Sequence, residues 1–211
     1  MFKNTCSFAL VIAGAALLSG CKKYAIEPPT GFVEVSSNTF ETRMKAQDDV
    51  GLRVHRFENV RGGTLGYWAA DLVTKLGKRG YVLTNQQPAR SKNGREGTRF
   101  DFDYTIPGTD EPKFYTVVLF VTDAYKFTLE LAGDREWAKA YQARADTIAG
   151  ELKVRGCKTA SKICSGPQPP KLSSPPPDPI PGLPEPPDPA TTAAPASTQA
   201  PASTPAPNPN P

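Results

Sequence analysis

Apolar and polar positions alternate along the first part of this chain and then switch to a helical period. Phe32, Val33 and Val35 mark a short strand, residues 40–45 a second, and Val50, Leu52 and Val54 one face of a third. Arg53, His55 and Phe57 fall on the opposite face of that third strand. Asn59 to Gly63 reads as a turn. Leu65, Trp68, Ala69, Leu72, Val73 and Leu76 then recur at three- and four-residue spacing and predict a helix over 65–78. Thr64 is placed to cap it, because a threonine hydroxyl can accept from a free first-turn N–H. Lys75, Lys78 and Arg79 suit the negative end of the helix dipole, and Gly80 supplies the stop.

The period then returns to two. Residues 81–84 predict a short strand, and residues 86–97, polar and carrying Pro88, Asn93-Gly94 and Gly97, predict a loop. Phe100, Phe102, Tyr104 and Ile106 alternate with Arg99, Asp101, Asp103 and Thr105, the pattern of a half-buried strand with a polar outer face. Residues 114–121 are almost wholly apolar, so that strand is expected at the centre, buried on both faces. Tyr125, Phe127, Leu129 and Leu131 alternate once more. Asp134 then caps a last helix whose stripe is Trp137, Tyr141, Ile148 and Leu152, ending near Arg155-Gly156. The order predicts an α+β domain: an antiparallel sheet sandwiched by two helices.

The helix at 65–78 running into Gly80-Tyr81, the aromatic strand 100–104, the central strand 114–121, and the 125–131 strand leading to the Trp137 helix resemble the PsbP-like fold. That fold also covers DcrB-like bacterial lipoproteins. The resemblance spans about residues 31–155. It implies a domain that binds or assists a partner, in a group that shares no catalytic site.

The ends of the chain differ from this middle. Lys3, the apolar run from Phe8 to Leu18, and Leu18-Ser19-Gly20-Cys21 follow the order of an export signal, too short to span a bilayer. The last four residues resemble the lipobox of bacterial lipoproteins. That resemblance implies removal of residues 1–20, a diacylglyceryl thioether on Cys21, and an acylated N-terminus. Two or more acyl chains hold stably where one holds marginally. The expected place is the cell envelope, and the absence of Asp after Cys21 fits the outer membrane of a Gram-negative host. Lys22 and Lys23 follow, and residues 21–30 are expected to be anchor and short linker. Residues 31–165 form the expected domain. Residues 166–211 hold 18 of the 23 prolines and lack Phe, Tyr, Trp, Val and Cys. Such a stretch cannot bury enough apolar surface to offset its chain entropy, so a disordered tail is expected.

Four cysteines have different fates. Cys6 leaves with the signal and Cys21 takes lipid, while Cys157 and Cys164 are expected to form a disulfide outside the cytoplasm. Their spacing is not Cys-x-x-Cys, and no histidine or third cysteine is near in sequence to suggest a metal. The net charge of +4 is too mild for a nucleic-acid binder.

No catalytic set emerges. His55 is the single histidine and lacks a nucleophile nearby in sequence. Asp101 and Asp103 share a face with Arg99 and fit the outer side of an amphipathic strand; an acid pair would need one of them in a cleft. Gly62-Gly63-Thr64 lacks the lysine of a phosphate-binding loop. The basic stretch Arg90, Lys92, Arg95 and Arg99 is the candidate partner-binding patch. The expectation is a non-enzymatic protein, without cofactor or metal, that meets the membrane through Cys21 and a protein partner through its domain. The alternative is a carrier or sensor of a small or lipidic ligand held between helix and sheet, beside Trp68 or Phe102.

Overall fold

The computed structural model describes residues 23–179. The export signal, Cys21 and residues 180–211 lie outside the described residues. Strands β1 (Tyr24–Ala25), β2 (Phe32–Ser37), β3 (Glu41–Ala46) and β4 (Gly51–Glu58) lead through a 3₁₀ turn at Val60–Gly62 to α1 (Leu65–Lys78). Then come β5 (Val82–Arg90), β6 (Glu96–Thr105), β7 (Pro112–Val121) and β8 (Tyr125–Asp134). A second 3₁₀ turn, Arg135–Trp137, precedes α2 (Ala138–Glu151) and β9 (Lys153–Val154).

Seven strands form one antiparallel sheet in the order β2-β3-β4-β8-β7-β6-β5, and β1 pairs with β9 in a separate ribbon. One sheet face carries α1, whose Leu65, Ala69, Val73 and Leu76 pack on Phe100, Phe102, Val117 and Leu119. The other carries α2, whose Tyr141, Ala145, Ile148 and Ala149 pack with Leu52, Val54, Phe114, Val118 and Leu129. This is the α+β sandwich the pattern predicts. β7 is central, with helices on both sides. Thr64 caps α1, its Oγ1 accepting from the Tyr67 N–H at 3.3 Å, and Gly80 takes the positive φ that stops it.

The strand registers define two ends of the sheet. The proximal end gathers the β2–β3, β5–β6 and β7–β8 turns, the β4–α1 connection and the β1–β9 ribbon. The distal end gathers the β3–β4, β6–β7 and α1–β5 turns and the start of α2.

Four expectations are corrected. Residues 86–90 are not loop but the second half of β5. Pro88 is tolerated because β5 is an edge strand, where a missing N–H leaves no ladder bond unmade. The supposed linker is pinned at once: Tyr24 is buried, its hydroxyl 3.0 Å from Thr42 Oγ1, and Lys23 O accepts from the Arg155 N–H. Two residues are too few for any period to reveal. Asp134 does not cap α2; its carboxylate takes Lys113, and α2 starts after Trp137, which stays exposed.

Fourth, the compact unit ends at Asp178, not at 165. Residues 166–178 run along the β5 edge towards the C-terminus of α1. Gln168 bonds Thr98 Oγ1 and Gly97 O, Gln86 bonds Pro170 O and the Leu172 N–H, and Leu83 N–H donates to Ser174 Oγ. Asp178 N–H donates to Lys78 O at 3.0 Å. Composition read this stretch as coil because it has few apolar residues. Yet Leu172 packs beside α1, and prolines already hold the extended backbone that the strap needs.

Candidate functional site

The acidic pair read as an outer face lies inside. β6 is covered by α1 on one side and α2 on the other, so Arg99 and Asp101 have only 6% and 4% of their side chains exposed. Arg99 meets Asp101 in a two-pronged pair, with Nε to Oδ1 and Nη2 to Oδ2 both at 2.9 Å. Thr116 Oγ1 donates to Asp101 Oδ1 at 2.7 Å and Asn85 Nδ2 to Oδ2 at 2.9 Å. Arg99 Nη1 reaches Asp146 of α2 at 3.2 Å. Each oxygen of Asp101 thus has two donors, and the side chain is held as a structural partner of Arg99. Asp103 is paired with Arg135. The two carboxylates form no acid–base pair.

This burial takes Arg99 out of the candidate partner patch. Arg99 is a core residue. Arg90 pairs with Glu96, and Lys92 with Glu151 at 3.0 Å. Arg95 sits in the tight β5–β6 turn, its N–H bonded to Ser91 Oγ. Asn93 in the same turn bonds both N–H and C=O of Val154, docking the turn on β9. The turn is docked on β9, and three of the four cations are in ion pairs.

His55 lies on the face of β4 that α1 leaves uncovered. Its Nδ1 is 3.0 Å from Arg53 Nη2, and its ring lies 4.0 Å from that of Phe57. Glu41 holds Arg43 and Arg53 together. Burial first, and then the Arg53 charge, push the imidazole pKa below its ordinary value. Thr128 stands opposite His55 with its hydroxyl given to Glu130, and Arg53 donates to the imidazole, so His55 is an acceptor in a surface ion network. The folded chain therefore binds this proton less readily than the unfolded chain, and stability is lost as pH falls below about 6.5. An NMR titration of the His55 ring is expected to give a midpoint below 6.5, and a midpoint above it would contradict this network.

Cys157 and Cys164 are bonded, with Cα atoms 6.0 Å apart. Asp123 stands beside them, but both sulfurs are used and its carboxylate accepts from Lys158 N–H and Ser161 Oγ. The backbone bond from Lys158, chiefly, lowers its pKa. The group is a loop fastener.

The space between α1 and the sheet is filled: Phe102 is fully buried, and the Trp68 indole N–H donates to Asn59 Oδ1 at 2.8 Å. Open clefts lie elsewhere on the described residues. One of about 440 Å³ follows the β5 edge beside Gln86, Gln168 and Leu172.

The remaining cluster is at the proximal end and was not foreseen. Arg56 lies between two rings, 4.6 Å from the Phe40 centroid and 4.7 Å from that of Tyr125. Lys126 lies 3.2 Å from the Trp68 ring and 5.8 Å from that of Phe57. Burial lowers the Lys126 pKa. The alternation of β4 and β8 marks Phe57 and Lys126 as outward-facing, but only the register, which pairs them, makes them neighbours.

No family model matches this sequence. No curated protein matches it significantly. Solved structures do resemble it in backbone. One, from Bacteroides thetaiotaomicron VPI-5482, has a TM-score of 0.40 at 12% identity over 63% of this chain. The match covers 45% of that protein, so this chain spans less than half its length. Another is the cyanobacterial PsbP, CyanoP, of Synechocystis sp. PCC 6803, with a TM-score of 0.41 at 16% identity. That match covers 63% of this chain and 87% of CyanoP.

Proposed function

We propose that this chain is a non-catalytic accessory protein of a bacterial cell envelope, anchored through lipid on Cys21, whose domain binds a protein partner away from the membrane. The observation that supports this reading is the polarity of the domain. The chain enters at the proximal end, where Lys23 O bonds Arg155 N–H, and leaves at the distal end, where Asp178 N–H bonds Lys78 O. Strands of ten residues such as β7 separate the two ends by roughly 33 Å. A domain tethered at one end and continuing into proline-rich sequence at the other is built as a spacer that presents its far side. Asp101, Asp103 and His55 are each held in a structural pair, which agrees with a binding role.

Cys21→Ser is expected to move the chain from the salt-washed membrane fraction to the soluble fraction. Unchanged fractionation after the salt wash would overturn the anchor. The partner is tested by crosslinking in cells and mass spectrometry, comparing the full chain with one ending at Pro179. A partner kept by both places binding on the domain. A partner lost with residues 180–211 places it on the proline-rich arm. No protein partner in either form overturns the accessory reading.

A further inference from the structure

The proximal end joins three features that are independent in sequence. The first is chain reach. Tyr24 is buried and strand-paired, so Cys21 is only two residues from Lys23, the first residue held by the domain. Two residues span at most about 7 Å. An acyl chain on Cys21 therefore leaves no free tether, and the proximal end must lie within a headgroup's depth of the bilayer.

The second is exposed apolar surface at the same end. Phe40 on the β2–β3 turn is 57% exposed, Phe57 at the end of β4 is 41% exposed, and Val60 on the β4–α1 connection and Tyr67 in the first turn of α1 are exposed as well. Aromatic rings of this kind suit the region between headgroup and acyl chain.

The third is charge. Lys23, Arg56, Arg61, Lys126 and Arg155 make no ion pair among the described residues. Arg56 and Lys126 are held against ring faces instead, and Arg56 Nε is buried without an acceptor. Arg155 adjoins Gly156, whose neighbour Tyr125 carries Arg56, whose other ring is Phe40, and Phe57 with Lys126 stands on the opposite face of the sheet at the same end. The distal turns carry Asp48, Asp49, Asp110, Glu111, Asp134 and Glu136 together with Lys45, Arg79, Lys113, Arg135 and Lys139, and Asp49, Glu111 and Asp134 are ion-paired there.

From these three we infer that the proximal end is a docking face for an anionic phospholipid surface. Phe40 and Phe57 enter the interface, and Arg56 and Lys126 meet lipid phosphates. The inference rests on the anchored reading for its setting, since Cys21 sets the distance. It adds that the domain does not swing on its anchor but stands on this face, distal end outward.

Two measurements on the mature full-length chain test it. In the first, Cys21→Ser protein, which carries no lipid, is sedimented with vesicles of phosphatidylglycerol and phosphatidylcholine. Binding is expected, weaker with salt and absent on phosphatidylcholine alone. Arg56→Gln and Lys126→Gln should each weaken it about fivefold. Phe57→Ala should weaken it as well, with the urea midpoint of each variant showing that the fold is intact. In the second, acylated protein in vesicles carries an environment-sensitive dye at Phe57→Cys or, at the distal end of β2, at Val33→Cys. Brominated lipid is expected to quench the dye at 57 and not at 33. Acylation found by mass spectrometry with no quenching at 57 overturns the docking face and leaves the anchor standing. Unacylated Cys21 with intact binding to anionic vesicles overturns the anchor and supports the face. Equal quenching at 57 and 33 shows a domain without fixed orientation and overturns the proposal.

Discussion

Replacing Asp101 with alanine is expected to cost about 3–5 kcal/mol, the range for removing one member of a buried ion pair. A domain of this kind holds about 5–15 kcal/mol in all, so the variant will be close to unfolding. The loss comes from Arg99 more than from the bonds removed. Its guanidinium, 6% exposed, would keep only the half-exposed Asp146 as a partner, while Thr116 and Asn85 would lose an acceptor. Urea unfolding followed by tryptophan fluorescence measures the cost. Replacing both members with apolar residues, Arg99→Met with Asp101→Leu, is expected to restore much of the loss, because no charge is then left in the core. A cost below about 1 kcal/mol for Asp101→Ala would put the pair in the class of solvent-exposed ion pairs and contradict the burial.

That pair also shows how far sequence reading reaches. The pairing of Arg99 with Asp101 was legible, because alternate residues of a strand share a face. Its burial was not. A strand covered on one side by α1 and on the other by α2 shows the same alternation as one facing water, when the second layer accepts charge through Asp146. The two helices, the central strand and the cysteine pair were legible because each rests on a local period or spacing. The β1–β9 ribbon has no period. The cluster at Arg56 and Lys126 depends on register: Arg56 stands opposite Phe127, and Phe57 opposite Lys126. Composition misled most at residues 166–178, where it correctly reported few apolar side chains but could not report that an open sheet edge awaits them.

Ending the chain at Ser165 instead of Pro179 is expected to lower stability by about 2 kcal/mol and to make the protein self-associate. Residues 166–178 make six side-chain or backbone bonds of 2.7–3.0 Å to β5, β6 and α1. Each contributes modestly, and ordering the chain offsets part of the sum. The prolines reduce that offset, since their φ is fixed before docking. They also decide what the edge can do. Pro169, Pro170 and Pro175 to Pro177 have no N–H to offer, so a strap made of them covers β5 without presenting a new edge. Without it, Leu83 and its neighbours would face solvent with an unpaired N–H, open to a second chain. Light scattering and urea unfolding should separate the two truncations: the chain ending at 179 stays monomeric with its midpoint unchanged, and the chain ending at 165 does not. Gly77→Ala is a milder form of the same experiment. A Cβ at Gly77 would lie 2.4 Å from Pro175 Cδ, so the strap must lift there while every residue of it remains. Faster hydrogen exchange at the Leu83 amide in that variant, with the α2 side unaffected, is the expected signature. Equal stability and monomeric behaviour for both truncations would show that the strap rests on the domain without holding it.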